Sequence, residues 1–169
     1  FEVTLVGRSR ERNESAIEEL RQAVPDARLN FVLMDLASLS SVREAASRFN
    51  ALPPIDRLIN NAGVAGFSGL TVDGFELAFG TNHLGHFLFT RLLLPRVSAN
   101  ARIIMVSSRQ HEDVRAWNWE SLRERTKTVT GLREYAISKL ANVLFANALA
   151  ERLQPEVATV VSLHPGRVD

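Results

Sequence analysis

The chain has 169 residues, enough for one domain with a real hydrophobic core, and 46% of them are apolar and can fill it. Cysteine is absent, which excludes a disulfide framework and any cysteine-ligated zinc site. Twenty basic residues against nineteen acidic ones leave a net charge of +1, too small for an electrostatic nucleic-acid binder, and no apolar run reaches the roughly 20 residues of a membrane span.

In chain order, residues 3–6 form an apolar run that leads into Gly7-Arg8-Ser9. Residues 13–24 read as a helix, with Asn13 as N-cap and Pro25 just past the end. Residues 29–34 predict a second strand ending at Asp35, and residues 38–49 a second helix with a serine start. Pro53-Pro54 breaks the chain before a short third strand at 57–60. Residues 73–97 read as one long helical segment containing Gly85 and a late Pro95, followed by a fourth strand at 102–106. Residues 109–131 are polar, carry Trp117 and Trp119, and read as an inserted loop or small subdomain. An Ala/Leu-rich helix at 132–153 and a fifth strand at 157–163 follow, and Pro165-Gly166 opens a turn.

Strands alternating with helices at this spacing predict βαβ units and a parallel sheet. The strands are continuous apolar runs, which predicts a sheet covered on both faces. Ligands of such sheets bind beyond the carboxyl ends of the strands. The residues there are Gly7-Arg8-Ser9, Asp35-Leu36, Asn60-Asn61-Ala62-Gly63, Ser107-Ser108 and His164-Pro165-Gly166. All five groups are small, polar or turn-forming and read together as the lining of a cleft. The only tyrosine, Tyr135, precedes Lys139, one of two lysines, by four positions. That spacing places both on one helix face.

In order, Asn60-Asn61-Ala62-Gly63, Thr81-Asn82-His83-Leu84-Gly85-His86-Phe87, Val106-Ser107-Ser108, Tyr135-Ala136-Ile137-Ser138-Lys139-Leu140-Ala141-Asn142 and His164-Pro165-Gly166 resemble the successive motifs of the short-chain dehydrogenase/reductase family. The wording is most similar to its retinol-dehydrogenase-like branch. The resemblance implies an α/β fold with a Rossmann-type doubly wound parallel sheet, and an NAD(P)-dependent oxidoreductase that moves a hydride between a nicotinamide cofactor and an alcohol or carbonyl. It implies Tyr135 as catalytic acid/base, Lys139 as its partner on the nicotinamide ribose, Ser108 as the group orienting the substrate oxygen, and Asn82 as the fourth member. Ser108 is chosen over Ser107 on motif alignment alone. Asn61, Ala62, Gly63, Pro165 and Gly166 would line the cofactor, and Asp35 and Leu36 would lie near its adenine.

The chemistry suits these residue types. A phenol is a poor base near neutral pH, and an adjacent ammonium favours its ionised form. A serine hydroxyl can hold the reacting oxygen within reach of the phenol proton. Arg8 stands where an acid would bind a ribose diol, and no Asp or Glu occurs at 7–10. An arginine there accommodates the 2′-phosphate of NADP, so NADP is expected over NAD, with Arg10 assisting. His83 and His86, three apart, lack the further ligands a metal site needs and read as packing or capping residues. His111 and His164 receive no role.

Two features depart from the family pattern. No glycine-rich turn precedes the first helix, so the pyrophosphate seat is missing. The family's first strand, central in its sheet, and its C-terminal segment are missing as well. Residues 1–169 therefore read as a single but partial NAD(P)-binding domain, an internal excerpt of a longer chain. On its own it would fold and bind cofactor poorly. A truncated or non-catalytic binding module on the same scaffold is the alternative. The other departure is the wide Ser108–Tyr135 spacing, which reflects the 109–131 insertion; there both tryptophans are expected to pack the insertion onto the domain. A small-molecule alcohol or carbonyl is the expected partner, in a soluble, cytoplasmic setting without nucleic acid. A homodimer through the two long helices would suit the apolar stripe at 84–94, which sheet packing explains equally well.

Overall fold

The computed structural model of the chain describes residues 2–166. Its elements run β1 (Glu2–Gly7), α1 (Arg10–Ala23), β2 (Arg28–Leu33), α2 (Leu39–Arg48), β3 (Ile55–Asn60), α3 (Leu77–Phe79), a π-helical turn (Gly80–Gly85), α4 (His86–Leu93), β4 (Val97–Val106), α5 (Leu132–Ala150) and β5 (Ala158–Leu163). The insertion contributes two short 3-10 turns, Arg109–Asp113 and Glu120–Arg123. No helix among the described residues is long and apolar enough to cross a membrane.

Local chemistry sets most boundaries. Ser9, not Asn13, caps α1: its hydroxyl accepts from Arg12 N at 3.3 Å. Asn13 lies inside the helix, and its amide donates to the Gly7 carbonyl at 3.3 Å, tying α1 to the end of β1. Ser38 caps α2 in the same way. The segment 73–97 is helical only from Leu77 to Arg96, because Glu76 caps α3 from its side chain and Pro95 lies in the 3-10 turn that ends the run. Gly131 starts α5 at φ +64, and a Cβ there would lie 2.8 Å from the Phe67 carbonyl, so both conformation and space demand glycine.

All strand pairs are parallel. They form one sheet of order β2-β1 and another of order β3-β4-β5, with no strand pairing β1 to β3 among the described residues. In the family pattern, the expected central strand lies between the counterparts of β1 and β3. Both sheets meet one core: Val42 and Ala45 of α2, Phe49 just past its end, Phe89 and Leu93 of α4, and Ala146 and Leu149 of α5 pack with Ile103, Met105 and Val160. Each large aliphatic or aromatic side chain buried there contributes about 1.5–3 kcal/mol.

The expectation of a sheet covered on both faces is corrected for β3–β5. Leu58, Asn60, Ile103, Met105, Ala158 and Val160 are buried, and they alternate with Ile59, Thr159, Val161 and Leu163, which are exposed. The apolar character of both faces comes from sequence, but the helices present cover only one. Ile59 is 59% exposed. α1 lies on β1 and β2 of the other sheet.

Candidate active site

Strand ends bring the candidate residues to one side. Asn60 and Asn61 alternate across the sheet as strand geometry requires. Asn60 points into the core, where its amide donates to Thr90 Oγ1 at 2.9 Å and to Met105 Sδ at 3.0 Å. It anchors β3 to α4 and β4, and Asn61, Ala62 and Gly63 emerge exposed just beyond.

Asn82 clasps this exposed loop. Its Oδ1 accepts from Val64 N at 2.8 Å and its Nδ2 donates to Val64 O at 2.9 Å, so one amide pairs both main-chain groups of Val64. The same Nδ2 donates to Ser138 Oγ at 3.0 Å. Ser138 in turn donates to the Tyr135 carbonyl at 2.6 Å. Asn82 and Ser138 are fully buried.

Lys139 completes the cluster. It is 4% exposed, and its Nζ donates to the Val106 carbonyl at 2.9 Å, beyond which Ser107 and Ser108 follow. The Nζ lies 5.5 Å from the centroid of the Tyr135 ring, within cation–π range. Burial lowers the Lys139 pKa below the usual lysine value. A Cβ on Gly63 would stand 3.1 Å from Asn82 Oδ1 and 3.5 Å from Lys139 Nζ, so the ammonium and the amide converge on this glycine. Among the described residues the Lys139 ammonium makes this one hydrogen bond, leaving donors for a ligand hydroxyl.

Ser107 is structural: its hydroxyl donates to the Lys139 carbonyl at 2.8 Å, and its N–H bonds the Leu163 carbonyl at 2.7 Å. Ser108 lies at the end of β4, half-buried, with its carbonyl held by His111 N at 3.0 Å and His111 Nδ1 at 2.6 Å. Asp35 Oδ1 accepts from Ala37 N at 2.9 Å. Leu36 puts its side chain into the core rather than the cleft, against Gly85 of the π turn. Through that contact the end of β2 meets the segment carrying Asn82. Pro165 and Gly166 are exposed after β5, Gly166 at φ +92. Arg8 is exposed beyond β1, while Arg10 stacks over Phe31 at 5.3 Å and pairs with Glu14.

His83 sits among Phe79, Phe87 and Phe145, and its Nδ1 bonds Asn142 Oδ1 at 3.0 Å. His86 Nδ1 bonds the Asn82 carbonyl at 2.9 Å, and burial drives its pKa down to about 4. The motif roles given to Tyr135 and Lys139 leave Ser138 and Asn142 without one. Their signal was legible, since 135, 138, 139 and 142 fall on one helix face. In the insertion, Trp117 packs against Phe79, Leu122 and Ile137 as expected. Trp119 does not: it is 69% exposed and meets only the edge of Trp117 in the ring contacts, with centroids 5.3 Å apart.

The whole chain, residues 1–169, matches the family model described as short chain dehydrogenase. It is 44% identical over 174 residues to dehydrogenase/reductase SDR family member 13 of Bos taurus, covering 99% of this chain and 45% of that protein. It is 42% identical to human retinol dehydrogenase 13, covering 97% of this chain and 50% of the relative. The chain thus spans about half the length of these curated relatives. An uncharacterised protein from Mycobacterium paratuberculosis superposes with TM-score 0.80 at 37% identity, over 97% of this chain and 58% of that one. A Burkholderia cenocepacia short chain dehydrogenase in complex with NADP superposes with TM-score 0.74 at 25% identity, over 99% of this chain and 64% of that one. Parallel strands with interleaved helices, the ordered motifs and these likenesses agree: the chain belongs to the short-chain dehydrogenase/reductase family, in its retinol-dehydrogenase-like branch.

Proposed function

We propose that residues 1–169 form a partial NAD(P)-binding domain of an oxidoreductase that transfers hydride between NADP and an alcohol or carbonyl, with Tyr135 as acid/base. The observation that carries this reading is the convergence of the Lys139 ammonium and the Asn82 amide beside Gly63, with the Tyr135 ring 5.5 Å from that ammonium. The exposed Asn61–Gly63 loop and the unspent Lys139 donors fit a nicotinamide riboside, and Asp35, with only the main chain of Leu36, is the adenine end of this reading. Pro165 and Gly166 line the far wall. The bound cofactor supplies the hydride chemistry itself.

The protein's own residues manage the proton. The Tyr135 hydroxyl gives a proton to the developing alkoxide of a carbonyl substrate, or, as phenolate, takes one from an alcohol. The Lys139 ammonium stabilises negative charge on the phenol oxygen and holds a ribose hydroxyl. Ser108 holds the substrate oxygen. Asn82 keeps the cofactor loop against α5. The exposed Arg8 favours the 2′-phosphate of NADP. Relatives named retinol dehydrogenase make retinaldehyde the first probe substrate.

The test is Tyr135→Phe in the full-length protein, with retinaldehyde and NADPH. Removing an acid/base group of this kind is expected to lower kcat by about 10²–10⁴-fold while NADPH binding is retained. Unchanged turnover would overturn the assignment. A second reading, that the 169-residue chain alone is an inactive scaffold piece, is favoured by the separate two-strand and three-strand sheets. Tight NADPH binding by the isolated chain would refute it.

A further inference from the structure

The carbonyl of Asn82 lies in the π-helical turn, outside the α-helical pattern. In an α-helix it would accept the N–H of residue 86, but His86 N–H bonds the His83 carbonyl instead. The Asn82 carbonyl receives two side-chain donors, His86 Nδ1 at 2.9 Å and Asn142 Nδ2 at 3.1 Å. A carbonyl only accepts, so the Asn142 amide must turn its NH₂ group toward Asn82. Its oxygen then accepts from His83 Nδ1, which fixes the proton of His83 on that nitrogen. Asn142 is fully buried, and both ends of its amide are spoken for. A buried amide is costly where packing alone is needed, and a leucine would fill the same space. The other end of Asn82 is its side chain, which clasps Val64 and Ser138.

We propose that Asn142 is a positioning residue of the hydride-transfer site. By tying the Asn82 carbonyl to α5, it keeps the Asn82 side chain in place, and with it the loop that faces the cofactor, in register with Tyr135 and Lys139. The inference rests on the functional reading above for its catalytic consequence, and on hydrogen bonding alone for its structural one. His86 shares the task from the helix that carries Asn82.

Asn142→Asp is the sharpest variant. It keeps the shape and the acceptor for His83, and replaces the donor to Asn82 with a carboxylate oxygen that repels that carbonyl. In the full-length protein, two readouts are followed: kcat and KM with retinaldehyde and NADPH, and hydrogen exchange of the Val64 amide, whose acceptor is Asn82 Oδ1. Asn142→Asp is expected to lower kcat about tenfold with little change in the KM for NADPH, and to speed Val64 exchange by a similar factor. Tyr135→Phe, in contrast, should lower kcat and leave Val64 exchange at the wild-type rate. A folded Asn142→Asp protein with wild-type Val64 exchange would overturn the proposal. If Tyr135→Phe keeps full turnover, the functional reading fails, and Val64 exchange still decides whether Asn142 governs Asn82. Should Asn142→Asp not fold, Asn142→Ser, smaller and still a donor, carries the same readouts: an intermediate Val64 exchange rate supports the proposal, and a wild-type rate overturns it.

Discussion

Gly85 offers the most direct test of how the two strand systems are joined. It ends the π turn at φ −59 and ψ −49, helical values that alanine adopts freely. Backbone conformation therefore favours Gly85→Ala, by up to about 1 kcal/mol of helix propensity. Space opposes it. The new Cβ would lie 2.6 Å from the Leu36 carbonyl oxygen, 2.9 Å from Leu36 Cδ2 and 3.1 Å from Leu36 Cβ. Ordinary contact begins near 3.4 Å, so the π turn and the end of β2 must part by about 0.8 Å. The obstacle is main chain, which cannot swing aside, and overpacking of this kind costs about 1–3 kcal/mol or more. Space outweighs propensity, for a net loss of about 1–2 kcal/mol. At this chain length that lowers Tm by roughly 2–8 °C. Thermal unfolding followed by circular dichroism measures it, with Gly74→Ala as control. Gly74 has φ +78 and nothing within 4 Å of a Cβ, so its cost, about 1–2 kcal/mol, is conformational only. A Gly85→Ala protein that melts at or above the wild-type temperature would refute the packing argument.

Three further outcomes are expected. His86 has its pKa lowered to about 4 by burial, so the unfolded chain binds the extra proton first as pH falls. Stability should decline from about pH 6.5 to pH 4, by about 3 kcal/mol from this group, and His86→Gln should flatten that part of a denaturation-versus-pH curve. Glu76 is buried, accepts from Phe79 N and Thr126 Oγ1, and has its pKa raised chiefly by burial, so its contribution to stability weakens as pH rises above the carboxylate range. Glu76→Gln should change stability near neutral pH by less than about 1 kcal/mol, whereas Glu76→Ala loses the cap and the Thr126 contact and should cost about 2 kcal/mol by urea unfolding. Arg8→Asp in the full-length protein should raise NAD use relative to NADP in steady-state kinetics; an unchanged ratio removes Arg8 from cofactor choice.

The legible parts of the site are those with side-chain signatures. Tyr135 and Lys139 announce themselves by rarity and spacing, and Asn61-Ala62-Gly63 by motif. Less legible is what main chain does. The acceptor for Lys139 is the Val106 carbonyl, and the partner of Asn82 is the peptide of Val64. A carbonyl or amide belongs to every residue type, so no letter in the sequence marks it. The α1 start is ambiguous in sequence for a related reason: Ser9 and Asn13 are both competent caps, and the end of β1, which takes the Asn13 amide, decides between them.

By itself, the sequence determined the alternation of strands and helices, the family and the residues that gather at the strand ends, because these depend on periodicity and side-chain type. The tertiary structure alone decided that β3–β5 bury one face, that β1 and β3 do not pair, and that Trp119 stays exposed. It also decided that Asn82 is held from both ends, by Asn142 and His86 at its carbonyl and by Val64 and Ser138 at its amide. These contacts join residues far apart in the chain, and which partner each group meets depends on how the packed elements share space and hydrogen bonds.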